Sequence, residues 1–286
     1  MFFLSKHFRN LNARYHGPEG DDFAAAELNP VAMRFVPRDG SVLEVGCGYG
    51  RNLVALSRLR AHRIVGCDVQ FDELARARKR LAPLDPVHRA RVHLVQQEPW
   101  RLPFPDESID LVVLWQVLEH LFGMEAKRRL ISECVRVLRG RGHILIETPN
   151  QWFPFDYHDN KLPFVHWICP KPVREWLTFK IRGKRYPPSE YVSVPGCARL
   201  LEQVPGVKRV KKVTRVYFSP SFAAAWQGLG GSQVALKRVI FALLAPVHAL
   251  LTPFGQSADL FLPSVRVVWR IDKGERRDQM MEGVRP

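Results

Sequence analysis

Three glycines at alternate positions, Gly46, Gly48 and Gly50, break off the strand-like run Val42-Leu43-Glu44-Val45. Only glycine lets a main chain turn this sharply and lie against a ligand, so the spacing describes a cradle built of backbone. Asp68 stands eighteen residues beyond Gly50, at the end of the apolar run Ile64-Val65-Gly66-Cys67. A carboxylate there suits the hydroxyls of a ribose, and the two features together point to a nucleotide-type cofactor. The plainer role for Asp68 is capping the helix expected from Phe71, and the roles are compatible. His120 is a third candidate, because its imidazole titrates near neutral pH and can act as a general base; it can equally just begin a helix.

The elements that must hold these groups follow a regular order. Residues 51–59 carry apolar side chains at helical spacing, so the glycines lie between a strand and a helix N-terminus. Residues 92–96 read as a third strand, 108–115 as a fourth that is apolar almost throughout and buried on both faces, and 143–147 as a fifth. A helix is expected from Met124 to about Leu138, stopped by Arg139-Gly140-Arg141-Gly142. Strands alternating with helices make an α/β doubly wound domain. A dinucleotide cradle needs glycine at position 51, where this chain has Arg51, which weakens a nicotinamide reading.

With Glu44, the pattern Glu-x-Gly-x-Gly-x-Gly resembles the first motif of the class I S-adenosylmethionine-dependent methyltransferases. Asp68, the segment Glu98-Pro99-Trp100-Arg101-Leu102-Pro103-Phe104 and the strand end Gln116-Val117-Leu118-Glu119-His120 follow in that family's order. The resemblance implies a Rossmann-like, seven-stranded sheet, mostly parallel with an antiparallel last strand. It implies S-adenosylmethionine as cofactor, held by Glu44, Gly46, Cys47, Gly48, Gly50, Asp68, Val69, Gln97, Glu98 and Gln116. Glu98, or Gln97 beside it, inherits the contact to the adenine amine. Some members of this class bind a divalent metal through Glu-x-x-Glu-His and a later histidine. Here Gln116 replaces the first glutamate, and a neutral ligand lowers affinity for a hard cation, so a set of Glu119, His120 and His158 or His166 is disfavoured.

Five cysteines, Cys47, Cys67, Cys134, Cys169 and Cys197, stand singly, which suggests neither a zinc site nor a disulfide framework and fits a reducing cytoplasm. The apolar stretch at the start is too short for a signal peptide, and no run of about eighteen apolar residues occurs. The expected location is cytoplasmic, or peripheral on the inner membrane face. Charge is uneven: residues 1–169 hold 23 Lys and Arg against 20 Asp and Glu, whereas residues 170–286 hold 20 against 8. The densest basic stretch, residues 207–217, reads as a strand, either a solvated edge or a surface for an anionic membrane or a nucleic acid.

Residues 1–40 read as a cap, 41–150 as the cofactor-binding core, 151–193 as a lid, 194–272 as completion of the sheet and 273–286 as a polar tail. The lid holds ten of the thirty aromatics and six prolines, so little regular structure is expected there. It covers the crevice or forms a plain aromatic minicore. Within 219–263, the apolar stretch 235–251, interrupted by Pro246, suits an interfacial helix, a pocket wall or, most plainly, a buried core helix. Residues 264–271 read as the last strand, paired by resemblance with the basic one. The leading function is methyl transfer to oxygen of a small-molecule or lipid-linked acceptor. An RNA methyltransferase and a non-catalytic binder of the same fold remain as alternatives.

Overall fold

The computed structural model describes residues 18–59, 61, 63–98, 100–154, 156, 164–168, 170–183, 189–214, 234–254 and 258–274. In chain order these form α1 (Pro18–Phe35), β1 (Ser41–Val45), α2 (Arg51–Ser57), β2 (Arg63–Asp68), α3 (Phe71–Leu81), α4 (Pro86–Ala90), β3 (Val92–Gln96) and β4 (Ile109–Trp115). After a single 3₁₀ turn (Leu118–His120) come α5 (Met124–Val137), β5 (Leu138–Pro149), α6 (Val165–Ile168), α7 (Lys171–Arg182), α8 (Val194–Glu202), β6 (Val207–Lys212), α9 (Val234–Leu251) and β7 (Ser264–Lys273).

The strands make one sheet in the order β3-β2-β1-β4-β5-β7-β6. All neighbours are parallel except β7, which runs antiparallel to both β5 and β6. Chain order reverses between β1 and β4, so a crevice opens there beyond the carboxyl ends of the strands. Alternation along β4 explains why the sheet is buried on both sides. Leu111, Val113 and Trp115 meet α1, α2 and α3 through Leu28, Leu53 and Leu74, while Val112 and Leu114 meet α5 and α8 through Leu130, Ile131 and Leu200.

Four expectations change. Residues 139–142 do not end a helix in a loop; they lie inside β5, where Ile109 pairs with Leu138 but Leu111 pairs with His143. The extra residues form a bulge that brings Arg139 Nε within 3.6 Å of Asp110 Oδ1. The segment 151–193, expected to hold little regular structure, carries a regular twelve-residue helix, α7, because Pro170 is its N-cap and Pro172 lies in its first turn, where no N–H is needed. Stretch 235–251 is one helix through Pro246. That proline removes a hydrogen bond to Ala242, whose exposed position leaves the carbonyl to water. Nor is α9 a buried core helix: Leu243 and Leu250 are each 70% exposed.

Of the basic stretch, residues 207–212 form the outermost strand, with Lys208, Arg209 and Lys211 exposed, and residues 215–217 lie outside the described residues. So do residues 1–17 of the cap and residues 275–286 of the tail. Among the described residues no helix is long and apolar enough to cross a membrane.

Candidate active site

The three glycines form the turn from β1 into α2, with φ of +73°, +49° and +80° at Gly46, Gly48 and Gly50. Two of them are also constrained by packing. A Cβ on Gly46 would come within 2.6 Å of Val117, and one on Gly50 within 2.9 Å of Ala77 in α3. Gly48 differs: a Cβ there would meet nothing within 4 Å, so this part of the turn is bare backbone facing open space. The turn is hung on β2, since the N–H groups of Gly46 and Cys47 both donate to the Cys67 carbonyl, at 2.8 and 3.0 Å.

Asp68 completes that attachment. Its Oδ2 accepts the Gly48 N–H at 2.8 Å, and its Oδ1 accepts the Gln70 N–H at 2.9 Å. It therefore shapes the turn before α3 and clasps the glycine turn at once, while Gln70 is the residue that caps α3. Val69 and Phe71 stand exposed next to it, and Gln97 joins the group through its N–H to the Asp68 carbonyl. The Gln97 side-chain amide donates to the Arg101 carbonyl at 2.7 Å, whereas Glu98 is exposed.

Glu44 sits beneath the turn, 1% exposed, and accepts from Asn52 Nδ2 at 2.7 Å. Burial pushes its carboxyl up to about 8, partly opposed by the Asn52 hydrogen bond and by Arg51. The Glu44–Asn52 bond ties β1 to α2 and so fixes both ends of the turn. Burial likewise raises the thiols of Cys47 and Cys67, the latter to about 12, which makes them packing groups rather than nucleophiles.

The segment after β4 borders the same crevice. Gln116 has φ of +56° and donates its N–H to the Glu147 carbonyl at 2.8 Å, and Val117 packs on Gly46. Glu119 and His120 part company within one 3₁₀ turn. Glu119 is buried and accepts from Thr148 Oγ1 at 3.0 Å, while His120 is exposed. Lys127, buried below, donates to the Leu121 carbonyl and lies 3.3 Å from Glu190, whose carboxylate also accepts the Gly123 N–H at 2.6 Å. These bonds pin residues 118–123 against Glu190, near the end of the segment 151–193. The described residues contain no group of three or more His, Cys, Asp or Glu able to hold a metal ion, and His158 lies outside them. His166 is on α6, where its ring meets Tyr191 and Trp167 at 5.6 and 6.0 Å, and burial lowers its pKa.

Three participants escaped sequence reasoning. Asn52 is the partner of Glu44, and a side-chain amide directly after the glycine turn, eight residues from Glu44, was its signal. Val117 covers Gly46. Tyr49 is locked onto α3 between Arg76 and Arg80, 5.7 and 5.1 Å from its ring, and Arg80 continues to Asp21 of α1 at 2.6 Å.

Residues 43–146 match the profile of a methyltransferase domain family. The chain carries a class I S-adenosylmethionine-dependent methyltransferase domain. A probable S-adenosylmethionine-dependent methyltransferase of Mycobacterium tuberculosis is 38% identical over 123 residues, 42% of this chain and 39% of that protein. The phosphatidylethanolamine N-methyltransferase of Cereibacter sphaeroides is 37% identical over 113 residues, 38% of this chain and 50% of that one. The matched stretches thus span half or less of these curated relatives. The fold extends further than the sequence likeness. The YcgJ protein of Bacillus subtilis superposes with a TM-score of 0.52 at 15% identity, over 87% of this chain and 99% of that one. In the methyltransferase domain the matched segment runs from β1 to β5 and so contains the glycine turn, Asp68 and His120.

Proposed function

We propose that this chain transfers the methyl group of S-adenosylmethionine to a hydroxyl oxygen of an apolar or ring-bearing acceptor, small or lipid-linked. The observation that carries the reading is the clasp of Asp68 on Gly48: bare main chain on one side, a carboxylate on the other, and exposed Val69 and Phe71 beside them. That donor set fits an adenosyl group, with acceptor oxygens for its ribose and apolar surface for its base. Gly46, Gly48 and Gly50 supply the cradle, Asp68 holds the ribose, and Glu98 or Gln97 meets the adenine. Glu44 acts from below through Asn52, holding the turn in shape.

Bound S-adenosylmethionine supplies a methyl group activated by its sulfonium, so the protein's own task is orientation and exclusion of water. His120 would take the proton of the acceptor hydroxyl onto a ring nitrogen, readying the oxygen for the methyl group that the cofactor would supply, with the cofactor's neutral thioether as leaving group. The acceptor's character is inferred from a cavity of about 320 Å³ lined by Gln151, Trp152, His166, Trp167 and Phe261. Three aromatic rings and a largely neutral imidazole favour an apolar body over a charged one. A labelled-methyl assay on fractionated lipid, small-molecule, RNA and protein pools tests the reading. Label in an organic-soluble fraction, as an alkali-stable methyl ether, is expected; label only in RNA or protein overturns the acceptor class, an alkali-labile methyl ester overturns the hydroxyl, and no cofactor binding in calorimetry overturns the activity.

A further inference from the structure

Two helices of this chain are amphipathic in the wrong sense for water. On α7 the solvent-facing stripe at i, i+3 and i+6 is Val173, Trp176 and Phe179, with Trp176 57% exposed, while Thr178 is the residue turned inward. On α9 the outward residues include Val239, Leu243 and Leu250. Single exposed apolar residues are ordinary, but two helices that each turn a row of large ones outward are not.

The topology brings both helices to one end of the sheet. The segment bearing α7 leaves the carboxyl end of β5 and returns beside it, where Asn150 bridges to Val192. The segment bearing α9 enters β7 at Ser264, which pairs with Pro149 at that same end. The segments meet directly, with the rings of Trp152 and Phe261 at 6.3 Å, and both line the cavity described above. The carboxyl end of the sheet is also the end where the glycine turn and His120 stand.

We infer that this end of the molecule docks on an anionic lipid bilayer, with α7 and α9 lying in the interface and the acceptor cavity opening toward the lipid. Charge selects the bilayer over the other occupants. Lys171, Lys180 and Arg238 stand exposed on the same two helices, and residues 170–286 hold 20 Lys and Arg against 8 Asp and Glu. Apolar rows flanked by cations are the composition of an interfacial helix. A second copy of the chain would set these cations against themselves, and a nucleic acid would find the aliphatic rows in the way. Neither helix spans, so contact is peripheral and reversible. The inference rests on the proposed lipid-linked acceptor, to which it gives a route, but it is tested without turnover.

Full-length chain is sedimented with vesicles of phosphatidylcholine alone and of equal parts phosphatidylcholine and phosphatidylglycerol, while calorimetry follows S-adenosylmethionine binding. Binding is expected to the mixed vesicles, to weaken with salt, and to fall about tenfold or more in both Trp176→Glu/Leu243→Glu and Lys180→Glu/Arg238→Glu. All four positions are exposed and lie on helices that contribute no residue to the glycine turn or to its partners Asp68 and Gln97, so cofactor affinity stays that of the parent and reports an intact fold. No binding to either vesicle overturns docking, as does a concentration-dependent dimer that the apolar pair dissolves, or capture of RNA in place of vesicles. Loss of cofactor binding in the parent chain would instead strike the methyltransferase reading and leave vesicle binding to be judged alone.

Discussion

Replacing Asp68 by alanine removes one carboxylate with three tasks: it holds the Gly48 N–H at 2.8 Å, holds the Gln70 N–H at 2.9 Å, and faces the proposed ribose. The two main-chain donors lie at the rim of the crevice, where water takes over much of what they lose. The ribose hydroxyls have no such substitute inside a closed complex. A hydrogen bond to a charged acceptor contributes about 1.5–3 kcal/mol, so Kd for S-adenosylmethionine should rise about 10- to 150-fold. Asp68→Asn keeps an acceptor for the Gly48 N–H but lacks the charge, and should fall between alanine and the parent. Calorimetric titration with the cofactor and its demethylated product gives the affinities, and circular dichroism checks that each variant is folded. A folded Asp68→Ala that binds within about twofold of the parent refutes the ribose role and the geometry drawn from it.

Gly48→Val should abolish cofactor binding, because it forces a β-branched residue to φ of +49° and fills the open space over the turn; unchanged calorimetric affinity would contradict the cradle. Glu44 gives a pH signature. Its folded pKa, about 8, lies above its unfolded one, so it contributes fully below about pH 4.5 and that contribution is lost as pH rises toward 8. Glu44→Gln should therefore gain stability over the parent between these limits, read as a widening gap in denaturant midpoints; parallel profiles would refute a buried, protonated Glu44. His120→Ala should lower kcat about 10²- to 10⁴-fold with cofactor affinity unchanged, and its rate should lose the parent's acid limb; a small loss with an unaltered pH profile assigns His120 to the rim only.

The parallel half of the sheet was legible because each of its strands is a short apolar run bounded by polar or glycine-rich turns, and burial on both faces leaves no ambiguity in a run such as residues 109–115. Asp68 and the glycines were legible for a different reason: main-chain geometry restricts residue type more tightly than packing does. Residues 139–142 misled because Arg-Gly-Arg-Gly looks the same whether it closes a helix or bulges a strand, and only the distant partner Asp110 decides. Prolines misled twice, at α7 and α9, since their effect depends on whether the missing N–H falls in a first turn or opposite a solvated carbonyl. The burial of α9 was misjudged because its apolar composition suits the inside of a protein and a greasy surface equally.

Asn150 is a small residue with wide reach. Its buried side chain donates to the carbonyls of Leu260 and Leu262 and accepts the Trp152 N–H, while its own N–H donates to the Pro263 carbonyl. One amide thus rivets the root of the first insertion to the last residues of the second, which are more than a hundred positions away in sequence. Grafting either insertion alone onto a related scaffold would leave that rivet with half its bonds, so specificity in this architecture should be transplanted, or lost, as a matched set.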